Sequence, residues 1–152
     1  MKYKRYENIE ISSDALEYKF VSVVPKGEIQ KIVQFKETAV SDVYNLAFGN
    51  LNYDGDIDDL SVNDNKDRNK ILATVASIDY EFTMQFPAKK VFFAGSTHER
   101  TRLYRMAITL NYIGLINDFE IYGVLMDTDT FVDVPFQPGI DYFGFLVKRK
   151  MR

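Results

Sequence analysis

The order of hydrophobic and polar positions in the first third of the chain predicts β-strands. Side chains alternate with a period of two over residues 17–24, 29–36 and 43–51, which indicates strands with one buried face. In the first of these segments the even-numbered residues are expected on one face and the odd-numbered residues on the other. A Pro-Lys-Gly-Glu turn at 25–28 joins the first two segments, so they are predicted to form an antiparallel hairpin.

The pattern then changes to a helical period. Apolar residues recur at spacings of three and four over residues 67–86, and Pro87 follows them. This predicts a long amphipathic helix that ends at the proline. Later apolar segments predict strands at 91–94, 119–126 and 142–148.

A second helix is predicted between the strands at 91–94 and 119–126, with Gly114 as a stop signal. Residues 127–138, which contain two prolines and several Asp and Thr residues, are expected to form a loop. The predicted order is β-β-β-α-β-α-β-β, an α+β fold with a mixed, mostly antiparallel sheet and two main helices. A strand–helix–strand crossover follows the long helix, so part of the sheet is predicted to be parallel. With no repeat or linker, residues 1–152 are expected to form a single domain.

The best candidate site is the segment VFFAGSTHERTRLYRMAI, residues 91–108. It reads as a buried strand, a turn at Gly95 and a helix whose Ser96 and Glu99 fit a capping box. Free amides at a helix N-terminus, together with nearby arginines, attract phosphate or carboxylate groups. The residues expected to bind such an anion are Ser96, Thr97, Arg100, Arg102 and Arg105, with His98 beside them. The alternative is an ordinary helix start whose arginines are solvated or paired with acidic residues.

The acidic segment 52–67, NYDGDIDDLSVNDNKD, superficially resembles a calcium-binding loop. With Asp54 as the first ligand, however, the sixth position is Asp59 rather than glycine, and the twelfth is Asn65 rather than glutamate. We therefore expect a solvated loop and no metal site. Its aspartates are also candidate partners for the arginines of the second helix.

Composition restricts the chemistry further. The net charge of -3 disfavours non-specific nucleic-acid binding. The absence of cysteine excludes disulfides and thiol nucleophiles, and the single histidine excludes a metal site with two histidines. No apolar run approaches the roughly 18 residues of a membrane helix, and the charged start of the chain does not read as a signal peptide. We therefore expect a cytoplasmic protein that does not bind membranes.

In the second helix, Leu103-Tyr104 follows the arginine-bearing start. This pair and the order of elements resemble the GNAT acyltransferase fold over residues 17–148. The resemblance implies acyl-CoA as the cofactor and Tyr104 as the general acid that protonates the departing thiolate. The glycine-rich loop with which that family binds the CoA pyrophosphate has no counterpart, since residues 63–70 read NDNKDRNK.

The chain is also similar to an uncharacterised family of small bacterial proteins. The similarity lies in the Phe-Ala-Gly-Ser-Thr and Arg-Thr-Arg-Leu-Tyr segments around residues 93–104, in Pro-Gly-Ile-Asp-Tyr at 138–142 and in Lys-Arg-Lys at 148–150. It implies a single compact domain and no particular reaction.

Three functions fit the sequence. Whether the protein is an enzyme stays open at this point. The first is a non-enzymatic binding module whose arginine-bearing corner faces a phosphate-bearing ligand, RNA or an acidic protein surface. The second is a divergent acyltransferase, for example a toxin-like one, with Tyr104 as acid and His98 or a carboxylate as base, because histidine exchanges protons near neutral pH. The third is a structural or protein-interaction subunit, for example a homo-oligomer joined through an edge strand, which an exposed apolar patch would indicate.

Overall fold

A computed structural model describes residues 4–25, 27–51, 57–58 and 67–151. These residues form nine strands and three helices. The strands are β1 (Glu10–Ile11), β2 (Glu17–Val24), β3 (Gly27–Glu37), β4 (Val43–Leu51), β5 (Ile57–Asp58), β6 (Lys90–Phe93), β7 (Phe119–Asp127), β8 (Thr130–Pro135) and β9 (Gly144–Arg149). The helices are α1 (Arg68–Gln85), α2 (His98–Leu110) and α3 (Tyr112–Leu115). No helix in the described ranges is both long enough and apolar enough to span a membrane.

The strands are hydrogen-bonded in the order β1-β2-β3-β4-β6-β9-β7-β8, and β5 pairs with β4. The pair β4 and β6 is parallel, whereas β6 with β9, β9 with β7, and β7 with β8 are antiparallel. The predicted class, α+β with a mixed, mostly antiparallel sheet, is therefore confirmed. The parallel contact joins β4 to β6, on either side of α1 in the chain. The strands β6 and β7, on either side of α2, do not pair because β9 lies between them.

The prediction of a loop over residues 127–138 is wrong for residues 130–135, which form β8. Strands β7 and β8 form a hairpin whose turn is Thr128-Asp129, with Thr128 in the left-handed region at φ 55°. The segment TFVDVP is rich in β-forming residues, and Pro135 lies at its last position, where the missing N–H is tolerated. The Asp and Thr residues mark the two-residue turn and not a long loop.

The chain divides into two compact units, so the predicted single domain stays a prediction. Unit 1 contains Met1–Lys36 and Leu46–Phe82, and unit 2 contains Glu37–Asn45 and Thr83–Arg152. Strand β4 contributes residues to both units. The acidic segment 52–67 falls mainly outside the described residues, and so does the expected pairing of its aspartates with arginines.

The core of unit 1 is aromatic. The even-numbered residues of β2 are buried, and Tyr18 is completely inaccessible to solvent. Phe35 of β3 stacks on Phe82 of α1 with ring centroids 3.9 Å apart, and Tyr18 meets Phe35 edge-on at 5.7 Å. Of the apolar stripe that the sequence predicts for α1, Ile78 and Phe82 are buried.

The core of unit 2 lies between α2 and the sheet formed by β6, β9 and β7. Its buried residues are Ile108, Phe119, Ile121, Phe136, Tyr142, Phe145 and Val147. The ring of Tyr142 lies directly on Gly123, where an added Cβ would come within 2.2 Å of the ring. The Tyr142 hydroxyl accepts a hydrogen bond from the Gln137 amide at 2.9 Å, so the segment between β8 and β9 is fixed at both ends.

Candidate binding site at the start of α2

Strand β6 leads directly into α2 through a turn that requires glycine. Val91 is fully buried, and the chain leaves the sheet after Phe93. A Cβ added at Gly95 would lie 2.4 Å from the Arg100 Cβ and 2.5 Å from the Thr101 amide nitrogen. Real Cβ atoms do not approach other atoms so closely, so any side chain at this position would displace the start of the helix.

The helix is capped by Thr97. Its backbone is extended, at φ −128° and ψ 162°, and its side-chain oxygen accepts a hydrogen bond from the Arg100 amide at 3.2 Å. The predicted capping box of Ser96 and Glu99 is therefore wrong by one residue. Both Ser96 and Thr97 can cap a helix, and sequence alone did not distinguish between them.

The buried side chain of Thr101 also stabilises the turn through hydrogen bonds to its backbone. Its hydroxyl accepts a hydrogen bond from the Gly95 amide at 3.0 Å and lies 3.2 Å from the Thr97 carbonyl oxygen, to which it can donate. The Gly95 amide is therefore directed at the helix, and a ligand at this corner would meet the later amides of the turn instead.

The arginines of α2 have different surroundings. Arg105 donates a hydrogen bond to the Ile140 carbonyl at 3.0 Å and forms an ion pair with Asp141. Its side chain is 17% exposed, whereas that of Asp141 is 67% exposed. Arg105 thus fastens α2 to the segment before β9, and its charge is largely compensated.

Arg102 is exposed and forms no ion pair within the described part of the chain, while Arg100 is half-buried. Arg102 stands one helical turn after His98, which is also exposed. These two side chains therefore present hydrogen-bond donors on the same face of the helix.

A shallow depression lies beside this face. Its lining residues are His98, Thr101, Arg102, Arg105, Asp141, Tyr142 and Phe145. The depression encloses no space as large as a water molecule, so a ligand would rest on this surface rather than enter a cavity. Among the described residues, no group of three or more His, Asp or Glu side chains is placed to hold a metal ion.

Tyr104, the predicted general acid, is half-buried on the other side of the helix start. Its ring packs edge-on against Phe93, with centroids 5.6 Å apart, and adjoins the core of unit 2. The ring therefore has a packing role. The catalytic roles of Tyr104 and His98 stay predictions.

Two contributors to the site were missed from the sequence, namely Thr101 and Asp141. Thr101 lies inside a predicted helix and looked like an ordinary polar residue. Asp141 follows the Pro138-Gly139 turn, with Gly139 at φ 83°, and nothing local indicates that this turn brings it to Arg105.

A protein-family model matches residues 2–150. The chain belongs to DUF6934, a family of unknown function. The predicted membership of an uncharacterised family is thereby confirmed. No curated protein and no solved structure matches this DUF6934 chain, so its resemblance to GNAT acyltransferases is not confirmed.

Proposed function

We propose that this protein is a binding module that holds the anionic end group of a ligand between His98 and Arg102. The observation that supports this proposal most directly is the difference between two neighbouring arginines. Arg105 is neutralised by Asp141, whereas Arg102, three residues earlier, is exposed without an ion pair among the described residues.

The physical basis of the proposed binding is the positive electrostatic potential at the first turn of α2. The N-terminus of α2 carries the positive end of the helix dipole, and a guanidinium binds a phosphate or carboxylate through charge-assisted hydrogen bonds. Glu99 in the first turn reduces the potential, which favours binding of one anionic group over a polyanion such as RNA. A cytoplasmic location remains part of the proposal.

The test is a titration of the uniformly 15N-labelled protein with inorganic phosphate and, separately, acetate, followed by amide chemical shifts. We expect saturable shifts at His98 and Glu99. Arg102→Gln should weaken phosphate binding about tenfold, because a hydrogen bond to a charged group contributes roughly 1.5 kcal/mol or more. Arg68→Gln is the matched control, since Arg68 is an exposed arginine at the start of α1.

Equal weakening by both variants would reveal a non-specific charge effect and would contradict the proposed site. A parallel titration with acetyl-CoA addresses the acyltransferase alternative. Binding of acetyl-CoA that is lost in Tyr104→Phe but retained in Arg102→Gln would favour the enzyme over the binding module.

A further inference from the structure

Strand β8 presents an open edge. In the described part of the chain it is hydrogen-bonded to β7 on one side and to no strand on the other. The register with β7 is continuous from Tyr122↔Pro135 to Asp127↔Thr130, so no bulge interrupts it. Edge strands are usually protected by bulges, lysines or prolines, and β8 has only Pro135 at its end and Asp133 within it.

The backbone groups of this edge can be assigned from the hairpin. Residues that flank a two-residue turn form a hydrogen-bonded pair, and such pairs alternate along an antiparallel ladder. Asp127 and Thr130 flank the turn. The amides and carbonyls of Phe131 and Asp133 therefore point away from β7, toward the side on which another strand could pair.

Large apolar side chains are exposed along the same hairpin. Phe131 is 57% exposed and Met126, its cross-strand partner, is 56% exposed. Phe131 packs against Phe143 with ring centroids 5.0 Å apart, and Phe143 stacks on Phe92 at 6.3 Å. On the opposite face of β8, Val132 is 41% exposed. An extended segment added to β8 would find apolar surface on both faces.

The hairpin and the segments on either side of it in the chain carry charge of one sign. Residues 106–147 contain six Asp and Glu residues and no Lys or Arg. Asp127, Asp129 and Asp133 are exposed on the hairpin, and none of them forms an ion pair with another described residue. Uncompensated carboxylates beside an open strand edge favour a cationic partner.

We propose that β8 is a docking edge for an extended, basic segment of a partner protein. The segment pairs with the outward backbone groups of Phe131 and Asp133. Its Lys or Arg side chains lie on the face of Asp133, with their aliphatic stems on Phe131, and its apolar side chains lie on the face of Val132. This is recognition by strand addition, and it is separate from the anion site at the start of α2.

The same charges disfavour two other occupants. A second copy paired through β8 would bring the aspartates of two hairpins together, and like charges opposed across strands are destabilising. Nucleic acid would be repelled by all three carboxylates. The partner is therefore expected to be a basic peptide segment.

The test uses an acetylated peptide of alternating Lys and Val, six residues long like β8, and a counterpart with Glu in place of Lys. Binding is measured by isothermal titration, and amide hydrogen exchange is measured in the complex. We expect the Lys peptide to bind, the Glu peptide not to bind, and exchange to slow at Phe131 and Asp133. Replacement of Asp129 and Asp133 by Asn should weaken binding about tenfold, because it removes two exposed charges that attract the Lys side chains.

Two control variants separate this edge from general surface effects. Glu28→Gln removes an exposed carboxylate on β3, and Ile113→Ser removes an apolar side chain that is 82% exposed on α3. Both should leave peptide binding unchanged, whereas Phe131→Ser should weaken it. Binding that survives the β8 variants, equal binding of the Glu peptide, no binding of the Lys peptide up to about 1 mM, or self-association lost in Phe131→Ser would each overturn the proposal.

Discussion

Tyr18 of β2 and Tyr6, which is hydrogen-bonded to β2, show that the contribution of a tyrosine hydroxyl to stability depends on its hydrogen-bond partners. The Tyr6 hydroxyl donates to the Asp67 carboxylate at 2.5 Å and accepts from the Val23 amide at 3.0 Å. The Tyr18 hydroxyl is buried without a hydrogen-bond partner among the described residues. A paired hydroxyl stabilises the fold, whereas a buried unpaired one destabilises it.

Replacement of each tyrosine by phenylalanine should therefore change stability in opposite directions. Tyr18→Phe should raise the free energy of unfolding by about 1 kcal/mol, because it removes an unsatisfied polar group. Tyr6→Phe should lower it by about 1 to 2 kcal/mol, because it removes a hydrogen bond to a carboxylate. Urea denaturation at neutral pH measures both, and a loss of stability in Tyr18→Phe would show that its hydroxyl has a partner.

Tyr18 should also make the protein sensitive to alkali. Burial, and to a lesser degree the charge of Glu81, raises the pKa of Tyr18 from 10.0 to about 12. The folded state therefore keeps the proton that the unfolded chain releases. The stability associated with this proton is intact below pH 10 and is lost as the pH rises toward 12. Unfolding curves at increasing pH should show this loss in the wild type and a smaller loss in Tyr18→Phe.

Glycine contacts give a further residue-scale prediction. Gly123→Ala should destabilise the protein by about 1 to 3 kcal/mol, because the Tyr142 ring occupies the space of the new methyl group. Gly114→Ala is the control, since nothing lies within 4 Å of its added Cβ and alanine favours the helix. Equal effects of the two changes in urea denaturation would mean that the ring shifts readily.

At the scale of elements, the start of α2 depends on its cap. Thr97→Ala should lower the free energy of unfolding by about 1 kcal/mol, because the Arg100 amide loses its acceptor. Ser96→Ala should change it by no more than a few tenths. Thermal unfolding of the two variants distinguishes these residues, and the reverse order would restore the predicted Ser96 cap.

Elements with strong local patterns could be predicted from the sequence, and contacts between distant residues could not. Strand β2 was predicted from the alternation of its side chains. Helix α1 was predicted from apolar residues at helical spacing, followed by Pro87. The β7–β8 hairpin was missed because its turn residues also suit a loop. The pair Arg105 and Asp141 spans 36 residues. Only the folded chain shows that Arg105 is engaged, while Arg102 forms no ion pair with another described residue.

At the scale of the whole molecule, the question is whether the two units unfold together. We expect one cooperative transition, because residues 46–51 of β4 belong to unit 1 and residues 43–45 to unit 2. Amide signals of Ala73 and Val147, buried in unit 1 and unit 2 respectively, should disappear at the same urea concentration. Separate midpoints would contradict the predicted single domain.

The absence of Lys and Arg from residues 106–147 also determines how this protein responds to chemical handling. Trypsin has no cleavage site in that stretch, and reagents that acylate or cross-link amines cannot react with it. Coupling to a solid support through lysines would therefore hold the protein by other surfaces and leave the β7–β8 hairpin accessible. A partner search with protein immobilised in this way would present the hairpin to the sample.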